Sequence, residues 1–175
     1  MRRKQWAFHL QMNKKRLVNL GILLAATAVL LGLDLLLKSW AVDNLMGQPE
    51  RVLVPGLLGL TFTRNAGAAF GLLGNFEWGR WVLTILKIAL MFGLLWYYHC
   101  RIPLEKRFWA VRIPAILIFA GGLGNLFDRI IFGYVRDMLA FLFINFPIFN
   151  LADVYVVAGC FLGAFVMMFV VKDFP

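Results

Sequence analysis

Hydrophobic positions fall in four long stretches, residues 20–37, 78–98, 108–127 and 151–171, each near the roughly 20 residues that a helix needs to cross a bilayer. The stretches are continuous instead of alternating. A backbone in lipid must satisfy its polar groups internally, so helices are predicted for all four. Basic residues precede the first stretch, as they would in a cleavable leader. It runs on through Asp34 to Trp40 without a small-x-small cleavage site and reads as a retained anchor. The connection at 39–77 has a different pattern. Residues 52–54 and 60–63 carry β-branched and apolar side chains around Pro55-Gly56, which predicts short strands at the membrane surface. The third connection, 128–150, is rich in Ile, Phe and Leu and is expected to lie along the bilayer interface or to pack on that small sheet.

Composition agrees with the pattern. With 62% hydrophobic residues and 15% charged, the chain is too apolar for an ordinary soluble domain, and 175 residues leave room for one membrane domain. The net charge of +9 would suit a nucleic-acid binder, but the basic residues flank apolar runs instead of sharing a soluble face, so no nucleic-acid partner is expected. Arg2, Arg3, Lys4, Lys14, Lys15 and Arg16 form a basic tail at residues 1–16. Arg101, Lys106 and Arg107 lie in the short second connection, and Lys172 follows the last stretch. The two longer connections hold only Arg51, Arg64, Arg129 and Arg136, so the positive-inside rule places both termini in the cytoplasm and the long loops outside. Gly159 and Gly163 form a Gly-x-x-x-Gly pair in the last stretch, expected to serve internal packing.

Several reaction classes drop out. Ser39 is the only serine and lacks a nucleophile-elbow setting. No His-Glu-x-x-His occurs, and Cys100, Cys160, His9 and His99 lack the spacing of a metal site, so neither metal nor cofactor is expected. Carboxylates remain. On the predicted topology Asp34 and Lys38, Asp128 and Arg129, Asp137 and Asp153 all come near the outer membrane boundary, joined by Asn65, Asn125 and Asn150. An acid at such a place is costly and points to function. Lys87, near the middle of its stretch, should face a polar partner.

Two carboxylates crowded in a poorly solvated place share a proton, which makes one an acid and the other a base. The ionised member can take a proton from water attacking a peptide carbonyl, while the protonated member hydrogen-bonds the carbonyl oxygen. Spacing alone does not say which two aspartates meet. Bland readings stand beside this one: Asp34 and Lys38 can neutralise each other at i, i+4, Asp128 and Arg129 can pair at a helix end, and Asp153 can be a helix N-terminal acid beside an Asn150 cap.

Five ordered blocks narrow the choice: DLLLK at 34–38, NAGAAFG at 65–71, GGLGNLFDR at 121–129, VRD at 135–137 and FNLAD at 149–153. Together they resemble the signature of lipoprotein signal peptidase, or signal peptidase II, over about residues 20–171; Leu35 stands where family members usually have Gln. The resemblance implies a bacterial inner-membrane aspartic peptidase that cuts diacylglyceryl-modified prolipoproteins before the lipidated cysteine. It further implies four transmembrane helices with a small extracytoplasmic sheet and an interfacial helix. With the Gly159–Gly163 pair used for internal packing, a monomer among membrane lipid is expected. Asp137 and Asp153 would be the catalytic pair. Asn65, Asn125, Arg129 and Asn150 would hold substrate or orient the pair, Asp34 and Lys38 would support it, and Asp128 would fix Arg129.

The rival from another class is a small ion-coupled transporter relaying charge through Asp34, Lys87 and Asp153. Transporters place such groups at the midplane and often show repeated halves, whereas most polar residues here sit at the outer boundary and the halves do not resemble each other. A reporter fused to the C terminus should be active only as a cytoplasmic fusion; extracytoplasmic activity would overturn the four-span topology.

Overall fold

The computed structural model describes residues 2–67, 78–102 and 108–171. The element order is α1 (Arg2–Leu45), β1 (Arg51–Val54), β2 (Leu58–Asn65), α2 (Gly79–Cys100), α3 (Trp109–Ile131), β3 (Val135–Phe141) and α4 (Leu151–Phe165), which ends in a π-helical turn, Val166–Val170. Lys14–Leu45, Trp109–Ile131 and Leu151–Val170 are long and apolar enough to cross a membrane. The described apolar part of α2, Thr84–Cys100, is shorter.

Helix α1 is longer than the hydropathy pattern predicted. Its 44 residues extend about 66 Å, twice a hydrocarbon core of roughly 30 Å. Nothing in the sequence breaks it before Gly47, whose φ of 74° begins the turn toward β1. The apolar stretch therefore marks only the part of the helix that lipid favours.

Helix α3 is the central element: 67% of its most apolar window is buried, against 17% for α1 and 11% for α4. Its glycines allow this. A Cβ on Gly121 would collide with the Ala152 carbonyl oxygen and the Val156 side chain of α4, and one on Gly124 would lie 2.5 Å from an Asp34 carboxylate oxygen of α1. From α4, Gly159 fits against Pro114 and Ile118 of α3, so the first glycine of the Gly-x-x-x-Gly pair packs internally. Away from these seams, Val29, Leu36, Phe92, Phe161 and Met168 are exposed, as lipid-facing side chains would be. At the end of the bundle opposite the sheet, Leu23, Tyr98, Ile102, Phe108, Val111 and Ile116 form the apolar core.

The sheet is antiparallel in the order β1-β2-β3. Pro55-Gly56 closes the first hairpin: the Leu57 N–H donates to the Val54 carbonyl at 3.0 Å and Gly56 has φ 69°, the geometry expected of Pro then Gly at the two central positions of a type II turn. The third connection supplies β3, so of its two expected placements it packs on the sheet. Helix α3 stops at Gly133, where φ is 80° and the N–H reaches the Arg129 carbonyl at 3.2 Å, a left-handed cap that turns the chain directly into β3. No separate interfacial helix occurs among the described residues, and much of the predicted 65–71 block lies outside them.

Gly121→Ala should destabilise the α3–α4 seam by about 1–3 kcal/mol, lowering Tm in detergent by roughly 3–10 °C. Gly163→Ala is the control, because its Cβ would meet only Pro114 at 3.4 Å.

Candidate active site

Asp137 is a β3 residue and Asp153 lies in the first turn of α4, and the short link between these elements is pinned. Phe149 bridges Leu139 through hydrogen bonds of 2.8 and 2.9 Å, and its carbonyl also accepts from the Met138 N–H at 3.0 Å. This sets Asn150 beside Asp137. Asn150 is also the N-cap of α4: its Oδ1 accepts from the Asp153 N–H at 2.9 Å, and an Asp153 Oδ2 accepts from the Asn150 N–H at 3.1 Å, a reciprocal capping box. The same Asn150 amide nitrogen donates to Asp137 Oδ1 at 2.6 Å. One fully buried asparagine thus grips both acids, from a strand on one side and a helix on the other.

The remaining amides complete the frame. Asn65 faces Val135 in the β2–β3 register, so its side chain lies diagonal to Asp137 on one sheet face and donates to Oδ2 at 3.0 Å. Asn65 Oδ1 in turn accepts from the Gly67 N–H at 3.1 Å. Asn125 of α3 donates to Asp153 Oδ1 at 2.7 Å and accepts from Asn150 at 3.0 Å and from Lys38 at 3.2 Å. Each acid therefore receives side-chain N–H donors while one face stays open.

Behind the amides sits a buried ionic network. Lys38, with no exposed surface, contacts Asp34 at 2.8 Å and Asp128 at 3.4 Å as well as Asn125. Asp34 also accepts from the Ala152 N–H at 2.9 Å, satisfying an otherwise free donor in the first turn of α4. Asp128 takes Arg136 through both its carboxylate oxygens, at 2.8 to 3.3 Å, and accepts from the Arg136 backbone N–H at 3.0 Å.

This corrects the expected role of Asp128, which holds Arg136 and Lys38 instead of Arg129. Neighbours on a helix point in different directions, so Asp128 and Arg129 diverge. Arg129 donates instead to the carbonyls of Ala66 at 3.4 Å and Gly67 at 2.5 Å, securing the segment that carries Asn65. Arg136 was not singled out by the sequence; its adjacency to Asp137, with Asp128 a short turn upstream, was the available signal. Lys87 faces the site too, although it is remote in sequence.

Asp137 and Asp153 line one cavity of about 590 Å³ together with Asn65, Asn125, Arg129 and Lys87. Its other walls are apolar: Val135, Phe141, Phe146, Pro147, Ile148, Phe149 and residues of α4. Phe146, Val154 and Val157 are exposed at its rim, so the cavity opens on the lipid-facing surface. Burial and the negative charge of Asp153 push Asp137 up to about 6, more than the Asn65 and Asn150 hydrogen bonds pull it down. That places its proton in the working range of an acid–base group.

Comparison with known proteins points in one direction. The family model described as "Signal peptidase (SPase) II" matches residues 26–169. A lipoprotein signal peptidase of Streptococcus pneumoniae is 38% identical over 148 residues, covering 85% of this chain and 90% of that one. Another from Streptococcus thermophilus is 41% identical over 138 residues, covering 78% and 86%. Among solved structures, a bacterial membrane enzyme determined by the in meso method at 1.9 Å resolution superposes with a TM-score of 0.75 at 24% identity, covering 85% of this chain and 94% of that one. An amide-gripped pair of aspartates at one end of an apolar bundle, and a family match that runs from residue 26 to residue 169, lead to one conclusion: the chain belongs to the signal peptidase II family.

Proposed function

We propose that this protein releases the signal peptide of diacylglyceryl-modified prolipoproteins, cutting before the lipidated cysteine, with Asp137 and Asp153 as the catalytic pair. The observation that carries this reading is the joint grip of Asn150 on both acids at the floor of one apolar cavity. Family membership supports a protease that cleaves lipoprotein signal peptides in a bacterial membrane. The residue roles and the mechanism are the proposal.

The pair carries one proton. Its ionised member takes a proton from a water held between the acids as the water oxygen bonds to the scissile carbonyl carbon. Its protonated member donates to the carbonyl oxygen, which holds the developing negative charge. The proton taken from water then passes to the leaving nitrogen, the C–N bond breaks, and the pair returns to its starting state. Asn65, Asn125 and Asn150 keep the carboxylates at fixed angles, and Arg129 holds the Ala66–Gly67 segment that follows β2 against them. Asp34, Lys38 and Asp128 act from behind by fixing α1, α3 and the start of α4.

Lipid supplies much of the positioning. Two acyl chains on the substrate cysteine confine it to the outer half of the bilayer, which reduces the search for the scissile bond to a layer at the depth of the acids. In this reading all four helices cross the membrane within a single domain of residues 1–175, both termini are cytoplasmic, the sheet lies outside, and the protein works as a monomer in the inner membrane. An ion-coupled transporter would need its acids along a path through the bundle, whereas here the buried acids Asp34, Asp128 and Asp137 gather at one end.

Asp137→Asn and Asp153→Asn should each fold and insert yet lose at least about a thousandfold in cleavage of a diacylglyceryl prolipoprotein, measured in detergent or liposomes. Retained turnover by either variant would remove that residue from the pair.

The pH dependence follows from the raised Asp137. Below about 6 the pair holds its proton; as pH rises through that value the proton leaves and the acid is lost. The kcat/KM for the wild-type protein should therefore fall on the alkaline side of about 6. The alkaline limb of kcat should lie higher, because bound substrate removes further water from Asp137. A kcat/KM flat from pH 5 to 8 would contradict a shared proton.

A further inference from the structure

Lys87 has no part in the chemistry above, yet it stands inside the site. It lines the main cavity beside Asp137, Asp153, Asn125 and Arg129, and it also lines a second cavity of about 570 Å³ running along α2 between Leu90, Met91, Leu94 and Tyr97 on one side and Ile118, Gly122 and Val156 on the other. The two cavities share Lys87, Asn125, Asp153 and Val157, so the amine sits where they join.

Its depth follows from packing. Helix α2 runs antiparallel to α3, with Met91 against Gly122, so Lys87 is one turn nearer the acids, level with Asn125 and Leu126. Helical side chains lean toward their helix N-terminus, which for α2 is the end nearer the acids, so the lysine reaches up toward them from below. The other cations of the site are engaged: Lys38 by Asp34 and Asp128, Arg136 by Asp128, Arg129 by two backbone carbonyls. Lys87 makes no hydrogen bond or ion pair among the described residues, while Asp153, Asp137, Arg129, Lys38 and Tyr97 are the charged and titratable groups around it. A half-buried ammonium in an apolar cavity needs oxygen ligands from something that enters.

We propose that Lys87 caps the C-terminal end of the substrate's signal-peptide helix. The proposal rests on the prolipoprotein reading above and names a residue for binding one part of that substrate. A peptide bond inside a helix is not open to two carboxylates and a water, so the substrate helix must end before the scissile bond. Its last four carbonyls then lie within the membrane with no partner of their own. A signal peptide crosses with its C-terminal end outward, so these carbonyls arrive just below the acids, where Lys87 offers three N–H donors and a charge that favours the negative end of the helix dipole. The apolar cavity along α2 receives the last turn of the helix, and the acids receive the extended residues beyond it.

The experiment compares two substrates on wild-type, Lys87→Met and Lys87→Arg proteins in one detergent. One substrate is a full-length diacylglyceryl prolipoprotein, and the other a short diacylglyceryl lipopeptide that begins two residues before the lipidated cysteine and has no helix to cap. Lys87→Met should raise KM for the full-length substrate roughly tenfold with kcat little changed, leave the short lipopeptide unaffected, and be largely rescued by Lys87→Arg. Equal loss on both substrates, or no loss on either, would overturn capping. Failure of the wild-type protein to cut either substrate would instead defeat the functional reading itself. In the wild-type protein, free synthetic signal peptide should also protect Lys87 from acylation by an apolar activated ester, read by peptide mass spectrometry, and the short lipopeptide should not; equal labelling with and without signal peptide would likewise overturn the proposal.

Discussion

Lys38 is the point on which the structure turns. Its ammonium is fully buried between Asp34, Asp128 and Asn125, and Asp128 passes the connection on to Arg136. Two acids and two bases make a set whose opposite charges can compensate one another at a poorly solvated place. Breaking one partner of such a set commonly costs about 3–5 kcal/mol, because the remaining charge stays buried. The set joins α1, α3, β3 and the first turn of α4, so these elements cannot slide past one another without separating charge. Apolar contacts in lipid are poorly directional and give helices little reason to choose one register. The ionic network supplies that choice.

Asn150 converts this rigidity into a site. An ordinary N-cap satisfies one helix end; this one also donates to an acid on a strand and to Asn125 on another helix. Its amide is used in both directions, nitrogen toward Asp137 and Asn125 and oxygen toward the Asp153 backbone. Any shift of α4 relative to the sheet would be felt at once in the spacing of the carboxylates. Glycines 121 and 124 permit the close approach that this arrangement needs, one against the backbone of α4 and the other against Asp34. The end that carries the two acids is thus held by short polar contacts, and the opposite end by an apolar core around Tyr98, Phe108 and Ile116.

The cavity places low polarity and fixed donors side by side. Phenylalanines 141, 146 and 149 and Val154 and Val157 of α4 give the cavity its apolar walls, and burial among such groups is what raises Asp137. In the proposed reading the same walls serve substrate selection and acid–base chemistry. In such surroundings three asparagines are well suited as supports, since they orient carboxylates without adding charge.

The sequence by itself determined the apolar stretches, the Pro55-Gly56 hairpin, the Asn150 cap and the ordered polar blocks, because each depends on residues close together in the chain: hydropathy over about 20 positions, a turn of four, a cap and its third residue. Those same local rules misled at Asp128, where adjacency suggested Arg129 and the helix instead turned the acid toward Arg136 and Lys38. They also truncated α1, since hydropathy reports where lipid lies and not where hydrogen bonding ends. Only the tertiary structure decided which two acids share an asparagine, that the third connection becomes a strand, and that Lys87 points into the site from a different helix. Those facts rest on contacts that depend on how helices and strands pack, from 13 positions apart for Asn150 and Asp137 to 72 for Asn65 and Asp137, and they leave no periodic mark in the chain.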